Sequence, residues 1–252
     1  MFAEQSPFAW GLYVTIVLHV GMAIVFILRA KKRRRRKFLA LALRLGFSFD
    51  PVKRSGRPPW GEPFELFRRG SALDTKNHLT GHIRGRSGIQ SMDLPAEVFD
   101  FAYRTELRQT KRETHYCLAT VVAIELPEAF PSLVLRPDTP ARKFLMHMGA
   151  DAGTLDFESE SGPDIEFESD EFNKRYHVAS DDHTFAHAVI TPEMIDFLLP
   201  GRDIALQIAG DRAIFFREKK LRPGQIRSLL EFAGDFYARI PNDVKKHYAR
   251  TA

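Results

Sequence analysis

Residues 8–37 read FAWGLYVTIVLHVGMAIVFILRAKKRRRRK, an uncharged run from Phe8 to Leu28 followed at once by Arg29 and then seven consecutive cations. Twenty-one residues at helical rise cover about 30 Å, the thickness of a bilayer's hydrocarbon core. Lys and Arg stay on the cytoplasmic side, so the order predicts a single span with residues 1–7 outside and the rest in the cytosol. A cleaved signal peptide would need positive charge before the apolar stretch, whereas MFAEQSP carries only Glu4. Trp10 and Tyr13 suit an outer-interface anchor. The expected location is the bacterial inner membrane.

The formal charge is +5, and residues 31–37 alone carry seven positive charges, which leaves the remainder at −2. The high pI is therefore a property of the membrane junction and does not mark a nucleic-acid-binding domain. Lys31, Lys32, Arg33, Arg34, Arg35, Arg36 and Lys37 are read as contacts to anionic lipid, at about 1 kcal/mol each near the surface. Cys117 is the one cysteine, so no disulfide forms within the chain, as suits a reducing compartment. It lies in an apolar stretch and reads as an inert thiol.

Beyond the junction, FLALALRL at 38–45 predicts a short helix turned by Gly46, and 50–63 holds four prolines and two glycines as an irregular connector. GHIRGRSGIQ, EVFDFAYRTELR and THYCLATVVAIEL read as strands, with SLVLRP, DIEFES and KRYHVAS as further ones. In the third, Val121, Ala123 and Glu125 alternate with Val122, Ile124 and Leu126, which predicts burial of part of the strand on two faces. Asp181 or Asp182 caps a helix over HTFAHAVI, and Thr191-Pro192-Glu193 starts another. DIALQIA and RAIFFRE flank Gly210-Asp211 as a predicted hairpin. Ile226, Leu229, Leu230, Ala233, Phe236, Tyr237 and Ile240 recur with helical period. The fold class is α+β: a transmembrane helix at 8–28, a juxtamembrane segment at 29–63, and a cytosolic domain of mainly antiparallel sheet with flanking helices at 64–252. That domain is one unit or two lobes, about 64–150 and 151–252.

Phe64-Glu65-Leu66-Phe67, Asn77-His78-Leu79-Thr80-Gly81, Phe99-Asp100-Phe101-Ala102-Tyr103 and Arg175-Tyr176-His177-Val178 with Ile190-Thr191-Pro192 resemble a family of uncharacterised, membrane-anchored bacterial proteins. The resemblance implies one membrane helix plus a cytosolic domain, and it carries no catalytic residues with it.

Candidate sites remain. His183 and His187, four apart on a predicted helix, offer a pair of metal ligands; the competing reading is a solvated helix face. His78 and His82 are also four apart, but Gly81 argues against a helix there. Arg84 and Arg86, among Gly81, Gly85 and Gly88, offer a phosphate cradle; the competing reading is ordinary turn glycines. Residues 151–171 hold nine acids and read as an acidic strand face. An ionisable side chain inside a span is costly, so His19 is a functional candidate. With Thr15 one turn before it, it is similar to the chlorophyll-binding histidine of light-harvesting polypeptides. Its competing reading is helix packing, aided by Gly21 and Ala23.

No nucleophile–base set or metal motif is assembled, and no cofactor is required beyond that pigment contact. The expected function is a non-catalytic accessory subunit of a bacterial membrane complex, with integral membrane subunits and anionic lipids as partners. His19 turns the choice of complex towards an energy-transducing one, photosynthetic or respiratory. The alternative is a membrane-tethered enzyme or ligand sensor.

Overall fold

A computed structural model describes residues 7–84, 93–106, 114–138, 164–200 and 203–249, with the backbone alone at 7–14, 27, 31, 72, 105, 106, 114 and 115. Helix α1 (Pro7–Leu45) is one unbroken rod of 39 residues, about 58 Å long. The two helices expected at 8–28 and 38–45 are therefore a single element. The basic run joins them because Lys and Arg are strong helix formers and no Gly or Pro intervenes between Ala23 and Leu45. Gly46 then ends the helix at φ +70°, and the Phe47 amide returns to the Ala42 carbonyl at 2.9 Å. That is a Schellman closure, which needs a residue at ease in the left-handed region. Among the described residues no helix is long and apolar enough to cross a membrane. The predicted span at 8–28, whose first third lacks described side chains, rests on the sequence.

A mainly antiparallel sheet follows: β1 (Ser48–Asp50), β2 (Arg54–Ser55), β3 (Ser71–Arg84), β4 (Asp93–Glu106), β5 (Thr114–Pro137), β6 (Tyr176–Ser180) and β7 (Ala205–Arg217). Its path is β1-β3-β4-β5-β6, with β2 against β3 and β7 against β5. SLVLRP is the second half of β5 and not a separate strand. The expected hairpin at Gly210-Asp211 is also absent. Both of its arms belong to β7, which pairs along β5 from Thr120↔Arg217 to Leu135↔Leu206. Gly210 takes φ +58° where the register slips between Glu125 and Leu133 of β5, so it bends a strand instead of reversing one. Residues 164–168 form no strand, although Ile165 and Phe167 are buried and the Ile165 amide reaches the Val178 carbonyl at 2.7 Å. The acids of 151–163 lie outside the described residues.

Residues of β5 alternate between two cores, as their pattern predicts. Val122 and Ile124 join Phe38, Leu41, Val98 and Phe215 on one face, together with helices α3 (Asp170–Asn173), α4 (His183–Val189), α5 (Pro192–Leu198), α6 (Pro223–Arg239) and α7 (Asn242–His247). Val121 and Ala123 face Phe64, Phe67, Phe99, Phe101 and Phe216 on the other. The proline-rich connector and α2 (Glu65–Arg68) supply that second cover, where Trp60 meets Phe64 and Phe67 edge-on at 5.8 and 5.6 Å. Asp182 and Thr191 cap α4 and α5, accepting from the amides of Phe185 and Met194 at 2.9 and 3.3 Å. The Tyr237 hydroxyl of α6 donates to buried Glu128 of β5 at 3.0 Å.

Candidate functional site

The helix α1 meets the domain at one member of the basic run. Arg34 has Phe38, Leu41, Ala42 and Leu45 on its side of the helix, the stripe that packs on the first core. Its guanidinium donates to Asp100 of β4 through Nε at 2.9 Å and Nη2 at 2.6 Å, and to the Leu221 carbonyl at 3.0 Å. It also lies over the Phe38 ring at 4.7 Å. Asp100 is 1% exposed and is fully partnered. Beyond Arg34 it accepts from Asn77 Nδ2 at 2.8 Å and Thr120 Oγ1 at 3.1 Å. Asn77 sits at φ +57° where the β3 register slips between Lys76 and Leu79, and that bulge turns its amide to the carboxylate. Thr120 in turn accepts from the Leu221 amide at 3.0 Å. Helix, three strands and the segment before α6 thus converge on one carboxylate.

The other cations of the run with described side chains, Lys32, Arg33, Arg35, Arg36 and Lys37, are exposed, whereas Arg34 turns to the protein. N-terminal to it, Ile16, Val17, Leu18, Val20, Met22, Ile24, Val25, Phe26 and Leu28 are all exposed. His19 is exposed too, and its Nδ1 meets the Thr15 carbonyl at 2.7 Å, within its own helix. Gly21 has open space where a side chain would stand. Ala23 is likewise exposed.

A second candidate is an open groove of about 390 Å³ on the second sheet face, lined by Thr80, His82, Glu97, Glu125 and Arg212 among others. Arg212 bonds Glu125 at 3.1 Å and lies over the Trp60 ring at 5.3 Å. Beside it, His78 Nδ1 meets Glu97 at 2.6 Å and Nε2 meets the Thr75 hydroxyl at 3.1 Å, with the ring stacked on Phe99 at 5.3 Å. This is a hydroxyl–imidazole–carboxylate series, but Thr75 is 3% exposed, so its hydroxyl is closed to a substrate. The series ties β3 to β4.

The remaining sequence candidates are dispersed. Arg84 ends β3, exposed and 3.9 Å from Asp93, while Arg86, Gly85 and Gly88 lie outside the described residues. Gly81 lines the groove. It sits within β3 with the Phe47 ring 2.5 Å from where a Cβ would be. His183 and His187 are exposed on α4, with His187 against Phe167 at 4.9 Å. Among the described residues no three potential metal ligands cluster. His82 pairs with Asp93 at 3.1 Å on the surface. Cys117 is half-buried, and burial pushes its thiol up. What the sequence reading passed over is the Asp100 node; its signal is the phase of Arg34 with Phe38, Leu41, Ala42 and Leu45.

No family model and no curated protein matches the chain. Among solved structures it is similar to the crystal structure of the mycobacterial trehalose monomycolate transport factor A, TtfA, at 16% identity and a TM-score of 0.50. The match covers 84% of this chain and 97% of that one, and it is a likeness of fold.

Proposed function

We propose that this protein is a single-pass, membrane-anchored accessory subunit of a bacterial membrane complex. Residues 8–28 cross the inner membrane and the domain sits on the cytoplasmic face. The carrying observation is that α1 is continuous from Pro7 to Leu45, exposes nine large apolar side chains between Ile16 and Leu28, and is pinned to the sheet at Arg34. Nine large apolar side chains exposed on one rod have no place in water, and a lipid or helix environment removes that cost at about 25 cal/mol per Å². Of the exposed cations that follow, Arg33, Arg35 and Lys37 hold the junction at anionic headgroups. Because the helix passes into the domain without a flexible joint, the anchor also orients the domain.

The solved neighbour is named a trehalose monomycolate transport factor, which makes a lipid-transport assembly the first complex to test. The energy-transducing complexes suggested by His19 are the second. Purification from membranes in mild detergent, with mass spectrometry of copurifying chains, decides between them. A monodisperse monomer would sink the accessory reading, and release of the chain by alkaline carbonate would sink the span. The ligand-sensor alternative rests on the groove at Glu97, Glu125 and Arg212. It predicts a small molecule retained by the purified domain and lost in Arg212→Ala.

A further inference from the structure

The face of α1 opposite the docked stripe is exposed over its described length. Thr15, Leu18, Met22, Val25, Arg29, Lys32, Arg36, Leu39 and Leu43 follow one another in alternating steps of three and four, and every one is exposed. Alternating steps of that kind average 3.5 residues, the period of a helix-to-helix seam. The seam is apolar at both ends and cationic in its middle three layers. Its lower end is the informative part. Leu39 and Leu43 are 49% and 76% exposed, four residues apart on one side of the rod.

Lipid cannot account for them. Leu39 lies eleven residues past Leu28, about 16 Å further along the axis, and Leu43 about 22 Å. No Gly or Pro lies between them to bend the helix back. A second copy of this chain cannot account for them either. Arg29, Lys32 and Arg36 would face their own counterparts in a parallel pair, and again in an antiparallel pair centred on Lys32, stacking like charges layer on layer.

We infer that this seam receives a helix of a different integral membrane protein. That helix emerges beside α1 on the cytoplasmic side and carries acidic side chains opposite Arg29, Lys32 and Arg36 and apolar ones opposite Leu39 and Leu43. The inference rests on the reading that 8–28 crosses the membrane, and it adds the chemistry of the partner. Charge complementarity selects the partner, and the Leu pair fixes the register.

The test places a benzophenone side chain at position 43 of the full-length chain, irradiates whole cells, and maps the adduct by mass spectrometry. The expected product joins position 43 to a membrane protein's helical peptide, with acids at steps of three and four on its membrane-proximal side. An adduct to a second copy, to lipid or to a peptide without such acids, or no adduct, overturns the inference. Lys32→Glu/Arg36→Glu, made with the probe in place, is expected to cut the adduct on the order of tenfold, and an undiminished yield overturns it. Both changes are at exposed positions, so a circular-dichroism melt in detergent should match the parent. Should alkaline carbonate strip the chain from membranes, the spanning reading fails, while the adduct at position 43 still decides the seam.

Discussion

Arg34 and Asp100, 66 positions apart in the chain, meet in a two-toothed ion pair with the carboxylate 1% exposed. A planar fork suits this site because both carboxylate oxygens are gripped in parallel, which a lysine cannot do. The pair joins the N-terminal helix to the middle of the sheet. Its strength therefore sets how firmly helix and domain move together.

Asp100→Ala is expected to destabilise the folded domain by about 3 kcal/mol, because it strands a partly buried guanidinium and the amide of Asn77. Arg34→Lys should fall between parent and Asp100→Ala. Chemical denaturation of the full chain in detergent, followed by tryptophan fluorescence, measures both. Midpoints unchanged from the parent would mean that the pair contributes nothing.

Gly81→Ala is expected to cost about 1–3 kcal/mol, since the new methyl enters the Phe47 ring. Phe47→Leu made in the same chain should recover part of that loss. The non-additivity in a double-mutant cycle is the readout. Strict additivity would place the ring elsewhere.

Burial raises the Tyr237 hydroxyl above its ordinary value of 10.0, helped by Glu128 beside it, and raises Tyr176 to about 12. A folded value above the unfolded one means that the stabilisation is complete below pH 10 and fades as pH climbs through the folded value. Lys245, which lies over the Tyr237 ring at 4.3 Å, is shifted downward by burial and works against that trend over part of the same range. Tyr237→Phe is expected to lose about 1 kcal/mol at neutral pH and to flatten the alkaline fall in stability. Melting curves from pH 7 to pH 11 on parent and variant, roughly bracketing the tyrosine value, would show parallel profiles if this hydroxyl were irrelevant.

Changing Lys32, Arg33, Arg35, Arg36 and Lys37 to Gln while keeping Arg34 is expected to leave the domain's melting temperature within about 2 °C and to scramble its orientation across the membrane. Protease accessibility from the cytoplasmic side of spheroplasts reports the second effect. Arg34→Gln should show the reverse pattern, a lower melting temperature with orientation kept. If the quintuple variant kept its orientation, the topological reading of the basic run would fail.

Local signals in the sequence were reliable wherever the outcome was local. Thr191 and Asp182 cap the helices that their side chains announce, and Val121, Val122, Ala123 and Ile124 are buried on both faces. Gly210-Asp211 shows where local signals stop. A turn and a strand bend ask for the same permissive residue, and the difference lies in β5, whose length lets one strand pair with both arms. The same limit applies to the basic run. Seven adjacent cations are chemically alike, and the choice of Arg34 depends on the helix phase fixed by Phe38 and Leu41 and on Asp100, which arrives from another part of the chain. The groove at Glu97 and Arg212 was invisible for a related reason, since it needs four strands brought into register.

The length of β5 has a consequence for biogenesis. Its first half is flanked on one edge by β4, made just before it, and on the other by β7, which ends at Arg217. A ribosome working from the N-terminus therefore exposes an apolar strand with an open edge until Arg217 has emerged. Chains arrested before that point should accumulate as aggregates or chaperone-bound species, with no smaller folded unit among them.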